Sequence, residues 1–120
     1  ILLKAEALNY LGNGSDALAA VNRIRIARTL PTLVDGANVD SSDQIAMRNL
    51  ILDERQFELM GEGQRFWDLV RNRVAVEVMS KVTDIKGNPN GLDKESEILW
   101  PISQNVLNRN PNIEQNEAYK

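Results

Sequence analysis

The stretch from Asp53 to Arg71 constrains the fold of this chain more than any other part of the sequence. It reads DERQFELMGEGQRFWDLVR and mixes eight charged with seven apolar side chains. At about 100° per residue, Glu54 and Glu58 interrupt the apolar side around Ile51, while other apolar residues face almost every remaining direction. A helix that is apolar all round is normally a central, buried one. The stretch therefore predicts a long central helix whose acids need partners.

Arginines within the same stretch are candidate partners for these acids. An unpaired charge is costly to bury, and residues three apart are neighbours on a helix. The pairs at this spacing are Arg55 with Glu58, Glu62 with Arg65, and Asp68 with Arg71. We interpret them as an internal lattice of ion pairs. If Glu58 belongs to it, Glu58→Ala should lower stability by several kcal/mol, because it strands a buried arginine.

Composition excludes several classes of site. The chain has 120 residues, a net charge of −3, and neither cysteine nor histidine. Without these side chains there is no disulfide, no thiolate or HExxH zinc site and no Ser-His-Asp triad, and the charge argues against a nucleic-acid surface. We expect no catalytic residue, no metal ligand and no cofactor. The ligand-binding residues stay unknown at this point.

The hydrophobic period is helical up to about residue 81 and predicts an all-α fold with an irregular end. We expect a tetratricopeptide-like helix pair over residues 1–29, central helices over 41–81, and a loop with an extended tail over 82–120. At this length the chain is most simply one domain. Because it opens within a helical pattern without a cap, we expect it to be the C-terminal fragment of a larger protein.

The first helix pair follows from its turn and its small residues. Gly12-Asn13-Gly14 suits the end of one helix, and Ser15-Asp16 suits the start of the next. Part of the tetratricopeptide pattern is present, without its bulky aromatic and with its proline displaced. The matching positions are Ala5, Leu8, Ala17, Val21 and Ile24. Basic Arg23, Arg25 and Arg28 could bind a phosphate or an acidic ligand, but we interpret them as a solvated helix face.

Two further segments have local signals. Ser41 with Gln44 fits a capping box for the long helix, which we expect to run from about Ser42 toward Met60. Gly61 and Gly63 predict a bend after it, with further helix over about 64–73 and 75–81. Turn residues fill 83–95, where we expect a mobile surface loop rather than a calcium site, because the EF-hand spacing is missing.

The acids and tryptophans each have a functional alternative. Glu54, Glu58 and Glu62 share one side of a helix, so they cannot easily flank a substrate, and nearby arginines make them poor general acids. Trp67 and Trp100 could stack on a sugar ring. Both lie in apolar runs, however, and we interpret them as core residues.

The motifs together resemble a known family. Residues 51–59 read ILDERQFEL, residues 61–71 read GEGQRFWDLVR, and residues 99–102 read LWPI, followed by NPN at 110–112, QN at 115–116 and Tyr119. This series, after a helix pair from Lys4 to Arg28, closely resembles the C-terminal signature of the SusD/RagB family. Ser103 and Glu117-Ala118 depart from it, where the family often has proline and Pro-Gly.

The resemblance implies a function that composition alone does not. SusD/RagB proteins are non-enzymatic outer-membrane lipoproteins that capture glycans or other nutrients at the cell surface and deliver them to a SusC-like TonB-dependent transporter. It also implies that the lipid anchor and the ligand-contacting aromatics lie upstream of this segment. Glu54, Arg55, Glu58, Glu62, Arg65 and Trp67 are then structural residues. The alternative is a tetratricopeptide-like adaptor that binds a peptide in its groove.

Overall fold

A computed structural model of the chain describes residues 1–89, 92 and 94–120. The helices are α1 (Leu2–Tyr10), α2 (Gly14–Ala27), α3 (Gln44–Glu58), α4 (Arg65–Arg71), α5 (Ala75–Met79) and α6 (Gln104–Arg109), with 3-10 turns at Glu95–Ile98 and Glu117–Tyr119. The described residues contain no β-strand, only two isolated bridges at Asp35–Val39 and Thr83–Pro89. The all-α class is therefore confirmed. Tetratricopeptide-like character stays a prediction.

The chain divides into two compact units, residues 1–65 and residues 66–120. In the first unit α1, α2 and α3 pack on one another around a common core. The buried members of this core are Leu2, Ala5, Ala17, Leu18, Ala20, Val21, Met47 and Ile51. Small side chains at the α1–α2 contact let the two helices approach closely, as the spacing of Ala5 and Ala17 predicts.

The turn between α1 and α2 is tight and depends on glycine. Gly12 has a φ of +80°, a left-handed conformation that L side chains rarely adopt. At Gly14 an added Cβ would lie 1.8 Å from the backbone oxygen of Ser41. The N-cap of α2 is Asn13 and the helix begins at Gly14, two residues earlier than a Ser15 cap predicts.

Helix α3 starts at a different cap from the one predicted. Asp43 is the N-cap, and its carboxylate accepts from the backbone N–H groups of Ile45 and Ala46 at 2.9 and 3.0 Å. The Ser41 hydroxyl and N–H instead donate to Asp35, which lowers the pKa of that carboxyl. The capping-box prediction at Ser41 is wrong because this serine closes the preceding loop. Helix α3 is accordingly two residues shorter at each end.

Helix α3 is buried on one side only. Met47, Ile51 and Leu52 are buried, whereas Phe57 is 68% and Met60 74% exposed. The prediction of a helix buried all round is therefore wrong for the chain as described. The bend after it is confirmed, because Gly61 and Gly63 adopt φ values of +84° and +71° in the turn before α4.

The second unit has a smaller apolar interior. Leu69, Val74 and Ala75 are its buried apolar side chains, and Asp68 is buried beside them with an ion pair to Arg71 at 2.8 Å. This is the predicted pair at three-residue spacing. Of the predicted 83–95 loop, Asn90, Gly91 and Asp93 lie outside the described residues.

Side-chain hydrogen bonds organise the described remainder of this unit. Asp84 closes a turn by accepting from the N–H groups of Lys86 and Asn88, at 2.8 and 2.9 Å. The short helix expected within 103–108 is present as α6. No helix among the described residues has the length and the apolar character needed to cross a membrane.

Candidate functional site

The conspicuous acids of α3 meet arginines of α2, not those of their own helix. Arg25 Nη1 donates to Glu54 Oε1, and the two side chains are only 19% and 8% exposed. Arg25 Nε also donates to the carbonyl oxygen of Pro31 at 2.8 Å, so one guanidinium joins α2, α3 and the loop between them. The prediction that Arg25 lies on a solvated face is therefore wrong.

A second bridge lies one helical turn further along both helices. Arg28 donates through Nε to Glu58 Oε2 at 3.0 Å and through Nη2 to Glu58 Oε1. The hydrogen bond from Arg28 lowers the pKa of Glu58, and the same bond raises the pKa of Arg28. The Arg28 side chain is 61% and the Glu58 side chain 23% exposed, so this bridge is partly in water. The expectation that Glu58→Ala strands a buried arginine is wrong; that role falls to Glu54.

Arg65 connects the turn after α3 back to the helix. Its Nη1 donates to the carbonyl oxygen of Leu52 at 2.7 Å, and its Nη2 lies 3.9 Å from Asp53 Oδ1. Glu62, its predicted partner, is exposed and forms no ion pair with any residue that the structure describes. The guanidinium therefore ties the turn after α3 to a backbone carbonyl that lies six residues before the end of that helix.

These contacts decide what the three glutamates can do chemically. Glu54 and Glu58 each accept from a different arginine, and the lowered pKa of Glu58 makes that carboxylate a poor proton donor. Within the ranges 1–89, 92 and 94–120, no cluster of three acidic side chains has metal-binding geometry. The geometry thus favours a structural role for the charged residues of α3.

The two tryptophans are not core residues in the chain as described. Trp67 is 58% and Trp100 76% exposed, so the interpretation of both as packed side chains is wrong for these residues. Trp67 makes an edge-to-face contact with Phe66 at 5.3 Å between ring centroids. Trp100 is held through its backbone, where its carbonyl oxygen accepts from Asn116 Nδ2. Each indole presents an open surface.

Open clefts occur in both units. One cleft in the first unit has a volume of about 440 Å³ and is lined by residues at the start of α1 and the end of α3, among them Leu2, Leu59 and Glu62. The cleft in the second unit, of about 360 Å³, lies between Leu99 and the Glu114–Lys120 ion pair. Both are shallow and open to solvent, so neither has the enclosure typical of a small-molecule site.

Carboxamide side chains hold the loops, and sequence reasoning missed all of them. Asn22 donates to the carbonyl oxygen of Leu33 and accepts from its N–H, at 2.9 and 2.8 Å. Gln115 pairs with both backbone groups of Ile102 in the same way, at 2.8 and 2.9 Å. Asn9 donates to the carbonyl oxygen of Gln44 at 2.9 Å. The sequence did contain one signal for such a contact, because Asn9 is a polar residue on the apolar side of α1 and needs a hydrogen-bond partner there.

Comparison with known proteins gives one family. The family model described as "SusD family" matches residues 1–119. Three proteins of Formosa agariphila are similar: SusD-like protein P38 is 44% identical over 99% of this chain, SusD-like protein P2 is 34% identical over 94%, and SusD-like protein P25 is 29% identical over 98%. The chain spans only 22 to 23% of the length of these relatives. No solved structure gives a significant match.

Proposed function

This chain belongs to the SusD family, and we propose that it is the C-terminal part of a cell-surface protein that binds glycans or other nutrients. The full-length protein would be held in the outer membrane by a lipid anchor outside these residues. It would deliver its ligand to a SusC-like TonB-dependent transporter. The match over residues 1–119 is the observation that carries this proposal.

Within that protein we assign these 120 residues a structural role. The support comes from charged residues of the family-like motif that are engaged in holding the fold. Glu54 joins α3 to α2 through Arg25, Arg65 closes the turn after α3 on Leu52, and Asp68 binds Arg71. Side chains committed to internal contacts of this kind are poorly placed to contact a ligand.

We propose that the protein binds its ligand without catalysing a reaction, and that the ligand site lies outside this segment. Two observations support this. Glu54 and Glu58, two of the three candidate acids, are held by arginines, and clefts in both units are open to solvent. The exposed indoles of Trp67 and Trp100 are the strongest competing candidates, because an aromatic face is a common platform for a sugar ring.

The test uses the full-length protein and compares it with two tryptophan variants. A glycan array identifies a ligand, and isothermal calorimetry then measures its affinity for the wild type, Trp67→Ala and Trp100→Ala, with Gln56→Ala as an exposed control on α3. We expect each variant to bind within about twofold of the wild type, because truncating a tryptophan that contacts a ligand typically costs more than that.

Two results would contradict different parts of the proposal. A loss of about tenfold or more in Trp67→Ala or Trp100→Ala, about 1.4 kcal/mol, would place the ligand on this segment. Absence of binding to any glycan or nutrient by the folded full-length protein would contradict the binding function itself. Co-purification with a SusC-like transporter tests the partner independently.

A further inference from the structure

The turn between α1 and α2 contains a chemically reactive pair of residues, Asn13 followed by Gly14. In such a pair the glycine nitrogen can attack the asparagine side-chain carbonyl, because glycine has no Cβ to hinder the approach and its backbone rotates freely. The side chain of Asn13 is exposed and makes no capping hydrogen bond to α2. The Asn13 amide is therefore open to water and is not fixed by the helix that it precedes.

The backbone of this turn is held away from the geometry that the reaction needs. The Asn13 N–H donates to the carbonyl oxygen of Leu8 at 2.9 Å, and the Asn13 carbonyl oxygen accepts from the N–H of Ala17 at 3.0 Å. Gly14 is buried, and an added Cβ there would overlap the backbone oxygen of Ser41. Closing a ring between Asn13 and Gly14 requires rotation about the Cα–C bond of Asn13, which these contacts restrict.

A second set of contacts fastens the turn to the start of α3. Gln44 Nε2 donates to the carbonyl oxygens of Asn9 and Tyr10, at 2.7 and 3.2 Å. Asn9 Nδ2 donates in return to the carbonyl oxygen of Gln44 at 2.9 Å. Asn9 and Tyr10 end α1, and Gln44 begins α3. Movement of the turn away from α3 has to break these contacts, so it is a local opening with its own free-energy cost.

We propose that Asn13 is a site of spontaneous deamidation that reacts only when this turn opens, and that its isoaspartate product prevents the turn from closing again. The Gly14 nitrogen attacks the side-chain carbonyl carbon of Asn13, loses its proton to solvent and expels ammonia, which leaves a succinimide. Water then opens the ring at either carbonyl carbon. One opening gives aspartate, and the other gives isoaspartate, in which the backbone runs through the side-chain carbons. The net reaction consumes one water and releases one ammonia.

The two products fit the turn differently. Aspartate is as good a helix N-cap as asparagine, and its charge is favourable at the N-terminus of α2. Isoaspartate adds one carbon to the backbone directly before Gly14, where the backbone of Ser41 leaves no room even for a Cβ. It also displaces the carbonyl oxygen that accepts from Ala17. We therefore expect the turn to accept aspartate at position 13 and to reject isoaspartate, whatever ligand the protein binds.

The rate of conversion tests whether the turn protects Asn13. The full-length protein is kept in mildly alkaline buffer with and without urea, and peptide mapping by mass spectrometry follows position 13. We expect conversion to be at least about tenfold slower without urea. Gln44→Ala should speed conversion in buffer at least about threefold, whereas Gln56→Ala, at another exposed position of α3, should leave it unchanged.

Three results would overturn this part of the proposal. Absence of conversion in urea would show that Asn13 is not a reactive site. Equal rates with and without urea would show that the folded turn gives no protection. An unchanged rate in Gln44→Ala would show that the contacts with α3 do not hold the turn closed.

The fate of the two products tests the rest of the proposal and needs no variant. Urea-treated protein is refolded, size-exclusion chromatography separates native from non-native protein, and electron-transfer fragmentation distinguishes isoaspartate from aspartate at position 13. We expect isoaspartate to be enriched at least about tenfold in the non-native fraction, and aspartate to divide as unmodified asparagine does. Asn90-Gly91, a second such pair that lies outside the described residues, is read from a different peptide. Equal division of isoaspartate would overturn the proposal, and so would exclusion of both products, which would assign the effect to charge.

Discussion

Residues 1–65 bury aliphatic side chains from three packed helices, whereas residues 66–120 bury few and are held mainly by polar side chains that bind backbone. Leu18, Val21 and Ile51 illustrate the first arrangement, since each is at most 5% exposed. Gln115, which pairs with both backbone groups of Ile102, illustrates the second. Apolar burial is the larger source of stability, at about 25 cal/mol per Å². We therefore expect the first unit to be the more resistant to unfolding.

The two units also use their buried charged side chains differently. In the first unit the buried Glu54–Arg25 bridge joins residues that are far apart in the sequence, on different helices. In the second unit Asp68 and Arg71 belong to the same helix, and the arginine is 45% exposed. A bridge between helices restrains their relative position, whereas a bridge within one helix adds only local stability. The first unit therefore depends on its charges for tertiary structure.

We expect the largest loss of stability from adding a side chain at Gly14, where the backbone of the α1–α2 turn lies against the backbone of Ser41. Gly14→Ala would place a Cβ 1.8 Å from the backbone oxygen of Ser41, so the α1–α2 turn or the start of α3 has to move. We expect the free energy of unfolding of residues 1–65 to fall by about 4 kcal/mol, measured by chemical denaturation. Ser15→Ala, at the next and exposed position, is the control. A loss no greater than the control's would show that the two backbones do not approach this closely.

Removing the buried bridge should have the next largest effect. Glu54→Ala leaves the mostly buried guanidinium of Arg25 without its carboxylate, which we expect to cost about 3 kcal/mol in the free energy of unfolding. Gln56→Ala, exposed on the same helix, should change it by less than about 0.5 kcal/mol. The double variant Arg25→Met/Glu54→Met should recover part of the loss, because it removes both charges. If the double variant is no more stable than Glu54→Ala, an uncompensated charge is not the cause.

Two carboxamides make the same contact in different units and so test whether the units differ in stability. Asn22→Ala and Gln115→Ala each remove a pair of hydrogen bonds to one residue, at a cost of about 1 to 2 kcal/mol. Amide hydrogen exchange should quicken only near Leu33 in the first variant, because the helical core remains. In the second it should quicken across residues 99–119. Equally local effects would show that residues 66–120 have a more robust core than their burial indicates.

Local sequence signals predicted the helices well but could not assign their partners. The stripe of Ala17, Leu18 and Val21 is periodic, so its burial follows from spacing alone. Arg25 and Glu54 are 29 residues apart, and no local pattern relates them. Residues three or four apart on a helix are neighbours, which predicted arginines of the same helix as partners for the acids of α3. The packing of α2 against α3 instead gives these acids arginines of α2.

Burial of the aromatic residues was mispredicted for a different reason. An apolar run indicates that a side chain tends to be covered, but it does not say by what. Trp67 and Trp100 lie in such runs and are exposed among the described residues. No sequence pattern predicts the contacts of Asn22 and Gln115, because a side-chain amide that binds a distant backbone group produces no periodic pattern in the sequence. The candidate site is correspondingly less predictable than the fold.

The smallest expected effect is the pH dependence of the exposed bridge. Because Arg28 lowers the pKa of Glu58 below its ordinary value of 4.5, the folded state favours the carboxylate more than the unfolded state does. Its contribution to stability is present above pH 4.5 and is lost as the pH falls through the lowered value in the folded protein. The thermal midpoint of the wild type should therefore fall more steeply below pH 4.5 than that of Glu58→Gln.

Glu62→Gln, which removes an exposed acid without an ion pair among the described residues, should follow the wild type. Asp35, Asp40 and Asp84 also have lowered pKa values and contribute to acid unfolding in every variant, so only the difference between variants reports on Glu58. Parallel curves for Glu58→Gln and the wild type would show that water screens this bridge fully, leaving Glu54 as the charge that joins the two helices.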